Sequence, residues 1–163
     1  METTGLTREF EDAGVDYELL PHAHTERARD EAEALGVALG EVAKTLVLTT
    51  PGGYVRAVLP ASERLDLHKV RGLLGGGKRI HLADEEALAR DYPEFELGAV
   101  PPLGGARRDR VLVDQRLAAR ESLVLEAGSH EQSIRLRTAD LVSLADAEVV
   151  DICIEAEASS EAP

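Results

Sequence analysis

The chain has 163 residues, with 31 acidic against 18 basic side chains and a formal charge of −13. That length fits one domain with a single substantial core. The acidity excludes broad, nonspecific nucleic-acid binding, which depends on neutralising phosphates. It still allows contact with one short RNA end through a local basic patch, for which Arg107, Arg108 and Arg110, or Lys69, Arg71, Lys78 and Arg79, are the candidates. Two Phe, three Tyr and no Trp imply an aliphatic core and few platforms for stacking bases. The one cysteine, Cys153, rules out an intrachain disulfide framework, and within the apolar run 149–154 it reads as a buried structural thiol. No apolar run approaches the ~20 residues of a membrane span and no signal peptide is visible, so a cytoplasmic protein is the default expectation.

Residues 7–13 read as a short helix ending at Gly14, and residues 15–20 as a strand. Thr25 is expected to N-cap a helix that runs to Leu35 and closes at Gly36. Residues 42–50 and 53–59 form two strands joined across Pro51-Gly52-Gly53, a hairpin signal. In the first, Leu46 and Leu48 share a face with Lys44; in the second, Val55, Ala57 and Leu59 face the core. Ser62 is expected to cap a helix over 63–74. Gly75-Gly76-Gly77 then reads as a flexible turn, since the Lys and Ser/Thr of a phosphate loop do not follow it. Residues 79–82 form a short strand, and Asp84 caps a helix to Arg90. Strands follow at 110–114, 122–126 and 133–136, then a short helix from Thr138 and a last strand at 149–154. Hairpins interspersed with short helices make the fold α+β with a mostly antiparallel or mixed sheet. One domain spans residues 1–154, and the small acidic tail 155–163 is expected to be disordered.

Three places carry candidate chemistry. Lys44 opens an apolar strand, where an inward ammonium is costly without a partner or a function. Its choice is suggestive in a chain with fifteen arginines and three lysines, although a lysine snorkelling from a strand end has the same pattern. In the loop Gly98, Ala99, Val100, Pro101, Pro102, Leu103, Gly104, glycines and prolines fix an irregular backbone that can present N–H and C=O groups. Both prolines lack an N–H, and on its own the segment also reads as a rigid turn. His130 follows Gly128-Ser129 in a turn between strands. His22 and His24 form a His-x-His pair able to share a metal, but no third ligand accompanies them in a recognisable motif and no metal is assigned. No serine stands in a nucleophile elbow and no cysteine is placed as a nucleophile, which makes a covalent mechanism unattractive.

Taken in order, Val42-Ala43-Lys44-Thr45-Leu46, the Gly-x-x-x-Pro loop at Gly98 and Gly128-Ser129-His130 resemble the motifs of the YbaK-like aminoacyl-tRNA deacylases. These are free-standing relatives of the editing domain inserted in bacterial prolyl-tRNA synthetases. Residues 28–37 and 133–141 share the likeness, which runs from Tyr17 to Ile152. The resemblance implies a curved, barrel-like mixed sheet flanked by short helices. It implies a trans-acting hydrolase for the ester of mischarged tRNA, Ala-tRNA(Pro) or Cys-tRNA(Pro), without metal or organic cofactor. Lys44 would hold the tRNA 3′ end, with a general-base role as the other possibility. Residues 98–104 would line the pocket and position water, His130 would assist, and Thr25 would contact substrate. The implied partners are the aminoacyl-tRNA 3′ end and prolyl-tRNA synthetase, with no membrane. The competing expectation is a noncatalytic module of the same fold that binds aminoacyl-tRNA or regulates a synthetase, which the acidic charge favours.

Overall fold

A computed structural model describes residues 5–25 and 27–155, and there eight strands fall into two open sheets. Helix α1 (Gly5–Asp12) places Leu6 and Phe10, four residues apart and so on one face, into the larger core. Gly14, at φ 72, turns the chain into β1 (Tyr17–Pro21). Helix α2 (Ala28–Leu35) closes at Gly36, as its sequence predicts, but Thr25 does not cap it. Arg27 holds the N-cap position without a side-chain bond, while the Thr25 N–H donates to the His130 carbonyl at 3.0 Å. That bond ties Thr25 to a distant turn before the helix can begin.

The hairpin of β2 (Ala43–Thr50) and β3 (Gly53–Pro60) has the expected turn, with Lys44 opposite Leu59 and Thr50 opposite Gly53. Helix α3 (Leu67–Leu74) starts later than expected, because Asp66 and not Ser62 caps it by accepting from the His68 and Lys69 N–H groups. Strand β4 (His81–Leu82) is short, and α4 (Glu85–Asp91) is capped by Asp84 as its sequence predicts. After β5 (Arg110–Asp114) comes α5 (Gln115–Ala118), one turn that the sequence reading leaves out. Buried Asp114 nucleates it by accepting from the Arg116 N–H, and also takes the Ile152 N–H at 2.8 Å. The chain ends with β6 (Ser122–Ser129), β7 (Gln132–Arg137), α6 (Thr138–Ala145) and β8 (Glu148–Val150).

One sheet is antiparallel, in the order β1-β7-β6. The other runs β4-β2-β3-β5-β8, antiparallel around the hairpin and parallel where β5 joins β3 and β8. A single parallel bridge, Val42 to Val124, touches the two. Neither sheet closes, so the barrel-like curve that the resemblance implies is replaced by a seam. The larger sheet's outer strands β4 and β8 have two and three residues, too few to carry a ladder round to the smaller sheet.

Strands β3 and β5 are buried on both faces, as parallel pairing with double cover demands. One face, with Leu48, Val55, Ala57 and Leu112, packs under Val70 of α3, Ile80 and Ile152. The other, with Val58, Val111 and Val113, meets Leu123, Leu125, Ile134 and Leu136 of the smaller sheet. Cys153 is buried, and that burial pushes its thiol up to about 12. The last expected strand ends early, and Glu155 accepts from Lys69 at 2.6 Å. The acidic end is therefore docked at its first residue, while 156–163 lie outside the described residues. No described helix is long and apolar enough to cross a membrane.

Candidate active site

At the seam between the sheets lies a cavity of about 180 Å³. Strand β2 supplies Lys44 and Thr45, α2 supplies Ala28 and Glu31, β6 supplies Glu126, and the loop before β5 supplies Gly98 and Val100. Lys44 is half-buried, and desolvation lowers its pKa. Its Nζ donates to the Glu63 carbonyl at 2.8 Å, which leaves two N–H bonds of the ammonium for a ligand.

Behind the cavity stands His130, buried between two elements. Its Nε2 lies 2.7 Å from the Leu97 carbonyl and its Nδ1 2.9 Å from Glu126 Oε2. A carbonyl only accepts, so Nε2 carries a hydrogen and donates. One proton is then shared between Nδ1 and Glu126, as imidazolium with carboxylate or as imidazole with carboxylic acid. Both ring nitrogens are engaged, and His130 acts on the residue that immediately precedes Gly98. Its own N–H donates to Glu96 at 2.8 Å, and Glu96 N–H reaches the Gly128 carbonyl at 2.9 Å. Gly98 has φ 85, and a Cβ there would stand 3.6 Å from the His130 ring. Gly128, at φ 90 in the bulge of β6, leaves no space for a side chain, since a Cβ would fall 2.7 Å from Phe95.

Burial, reinforced by the charge of Glu31, raises Glu126 to about 7 despite His130 beside it. Burial opposes the charged form of His130, but the bonds to Leu97 and Glu126 and the nearby Glu96 outweigh it and raise the imidazole. Both groups hold more protons folded than unfolded, so their contribution is complete below the ordinary carboxylate and imidazole ranges and is lost as pH rises through about 7. We expect Glu126 to lower Tm progressively between about pH 4.5 and about pH 7, its ordinary and its folded value, and Glu126→Gln to flatten that fall. Thermal unfolding across the range checks this, and an unchanged slope in the variant would contradict it. Glu31, itself raised by burial, is held by the Ser133 hydroxyl, whose oxygen lies 2.9 Å from His22 Nε2.

The far half of the loop is organised from below. Arg56 on β3 is 1% exposed, and its guanidinium donates to Asp109 at 3.0 Å, Pro101 O at 2.9 Å, Gly104 O at 3.0 Å and Arg107 O at 3.4 Å. The Tyr92 ring covers it at 5.2 Å, and the Tyr92 hydroxyl donates to the same Asp109 carboxylate. One buried cation thus collects the carbonyls of Pro101, Gly104 and Arg107, which lie outside helix and sheet.

The description "Aminoacyl-tRNA editing domain" matches residues 22–144. The chain belongs to this family. A relative from Escherichia coli (strain K12), "Multifunctional Ser/Thr-tRNA deacylase ProXp-y", is 29% identical over 143 residues, covering 85% of this chain and 84% of that one. A proline–tRNA ligase from Xanthomonas oryzae pv. oryzae is 34% identical over 107 residues, 62% of this chain and 18% of the ligase. Among solved structures, a "putative trans-editing enzyme for prolyl tRNA synthetase" superposes with a TM-score of 0.83 at 24% identity, over 92% of this chain and 95% of that one. The fold is therefore that of the editing domains, whose family the chain shares over residues 22–144.

Of the residues singled out from the sequence, Lys44, Gly98 and Val100 line the cavity of this editing domain. His130 lies one residue behind it. Ala99, Pro101, Pro102, Leu103 and Gly104 are buried, with Pro101 and Gly104 turned to Arg56 and Leu103 in the main core. Thr25 has a buried hydroxyl without a hydrogen-bond partner and lies against the backbone of His130. Glu31, Thr45 and Glu126 line the cavity without having been foreseen. For Glu126 a signal existed: it is the one charge in the strand Leu123-Val124-Leu125-Glu126-Ala127, the same anomaly that marks Lys44.

Proposed function

We propose that this editing domain acts in trans, hydrolysing the ester between a small amino acid and the 3′ end of a mischarged tRNA. The observation that carries this is the small cavity, about 180 Å³, that Lys44 lines together with Gly98 and Val100. In this reading the Lys44 ammonium binds the 3′ end and stabilises negative charge as water adds to the ester carbonyl. The acyl C–O bond then breaks, releasing the amino acid and leaving the ribose hydroxyl on the tRNA. Aminoacyl esters are activated enough that positioned water and oriented dipoles suffice, and no cofactor enters. His130 is a positioning residue that fixes Leu97 and hence Gly98. Thr25 supports the turn of His130, and Ala99, Pro101, Pro102, Leu103 and Gly104 support the wall from behind.

The two carboxyl groups on the wall, Glu31 and Glu126, offer acceptors to a β-hydroxyl. They support serine or threonine as the amino acid, in line with the name of the E. coli relative. Alanine or cysteine on tRNA(Pro) is the second reading, supported by cavity size and by the likeness to part of a proline–tRNA ligase. Prolyl-tRNA synthetase is then the partner to test. The experiment is deacylation of seryl-, threonyl-, alanyl- and cysteinyl-tRNA by the wild type and Lys44→Ala. The hydroxyl amino acids are expected to be released faster, by about 100-fold or more, since a site that hydrogen-bonds a substrate hydroxyl rejects the analogue lacking it by up to about 10⁴–10⁵. Faster release of alanine or cysteine would favour the second reading. No hydrolysis of any of the four by folded protein would favour a noncatalytic binding module.

A further inference from the structure

A second groove, of about 570 Å³, opens at the other end of the β2–β3 hairpin from Lys44. The hairpin tip, the Gly75-Gly76 turn and the segment 107–110 form its walls. In a chain of charge −13 it collects cations. Arg79 and Arg108 are exposed and make no ion pair among the described residues. Arg107 lies over the Tyr54 ring at 4.8 Å, and its Nε is buried, 3.6 Å from Asp109 and without a hydrogen-bond partner. The acid present does not cancel them, because the Asp109 carboxylate is already taken by Arg56 and Tyr92. Arg110 is bound by Glu148 at 2.6 Å and 2.9 Å, and Arg107 shares Asp109 with Arg56, so Arg79 and Arg108 are the wall cations left for a ligand.

The glycine turn suits an anion as well. Gly75, Gly76 and Gly77 have φ 75, 94 and 55, conformations that side chains resist, and a Cβ at Gly75 or Gly77 would meet nothing within 4 Å. The backbone there is open to close approach. The groove and the cavity are also mechanically one piece. The segment that supplies Gly98 and Val100 to the cavity continues to Arg107 and Arg108, and Arg56 holds it at Pro101, Gly104 and Arg107. Six residue steps along β2 lead from Lys44 to Thr50 at the groove, about 20 Å at ~3.3 Å per residue. At the ~3.4 Å per nucleotide of one strand of a DNA duplex that span is about six nucleotides, and it is more in an RNA duplex, whose rise is shorter.

We propose that this groove binds backbone phosphates of the paired acceptor stem whose 3′ end enters the Lys44 cavity. The inference rests on the deacylase reading for which RNA is present, and commits to duplex RNA as the occupant. Arginine forks suit phosphate oxygens, and a local cluster explains how so acidic a protein holds RNA without binding it broadly.

The test is fluorescence anisotropy with an uncharged RNA minihelix bearing a single-stranded 3′ CCA end, over a salt series. The variant Arg79→Ala/Arg108→Ala is compared with the wild type and with Arg8→Ala/Arg137→Ala, which removes equal charge from exposed positions elsewhere. At ~0.1 M salt the groove variant is expected to bind about tenfold or more weakly, with the slope of log K against log salt reduced by about 2, since each phosphate contact contributes ~0.9. The control variant should stay within about twofold of the wild type. Equal weakening of both variants, an unaffected groove variant, or no binding by the wild type at low salt would each overturn the proposal. The readout needs no turnover, so absent hydrolysis with intact, groove-dependent binding rejects the deacylase reading and leaves the groove standing. Thermal unfolding of both variants verifies that they fold.

Discussion

Lys44→Met is expected to lower kcat/KM for ester hydrolysis by about 100-fold or more and to leave Tm within about 2 °C of the wild type. The magnitude is that of losing one preorganised charge from a site where negative charge develops. Methionine keeps the apolar stem that packs at the mouth of β2 and removes only the ammonium. In the protein without ligand that ammonium makes one bond, to the Glu63 carbonyl at 2.8 Å, and a half-exposed site lets water replace it. Structure and activity should therefore separate at this residue. The pH profile distinguishes its two conceivable roles. Desolvation lowers the Lys44 pKa; if the cation does the work, the rate declines as Lys44 loses its proton at alkaline pH, and if the free amine is a general base, the rate rises there. We expect decline. A Lys44→Met enzyme with more than about a tenth of wild-type activity would remove Lys44 from the chemistry.

Arg56→Met is expected to have the opposite signature, a large loss of stability. Removing one member of a buried ion pair costs about 3–5 kcal/mol, because the partner stays behind uncompensated. For a chain of this size that is a Tm lower by about 10 °C. Asp109, at 5% side-chain exposure, loses its cation, and the carbonyls of Pro101 and Gly104 lose their donor. The double variant Arg56→Met/Asp109→Asn should recover part of the loss by removing the orphaned charge, a non-additivity that a double-mutant cycle measures. Whatever folds should also hydrolyse poorly, since the segment carrying Gly98 is no longer held. A Tm within about 2 °C of the wild type in Arg56→Met would show that the prolines alone define the loop.

These two residues also mark what the sequence discloses and what it hides. Lys44 is legible because a lone charge in an apolar strand contradicts its surroundings, and the hairpin that carries it is legible from Pro51-Gly52-Gly53. Arg56 is hidden by the same rule of alternation. Between Val55 and Ala57 it reads as an outward residue of a half-buried strand, and only parallel pairing with β5, a long-range event, buries both faces. Helix starts suffer likewise. Asp84 caps its helix as local chemistry predicts, whereas Thr25 is drawn away by a bond to His130, more than a hundred positions along the chain. Glu31 and Glu126 meet only when α2 is laid across the smaller sheet, so neither suggests the other from sequence. The barrel expected from the resemblance fails for a plain reason, the shortness of β4 and β8.

The seam between the two sheets has an evolutionary consequence. Lys44 belongs to one sheet and Glu126 to the other, and a single backbone bridge joins them. The gap that an amino acid must fit is thus an inter-sheet spacing, set in the shared core by small residues such as Ala43 and Ala127. Enlarging or trimming those buried side chains would act as a calliper screw, retuning which amino acid is admitted while every group that meets the ester stays the same.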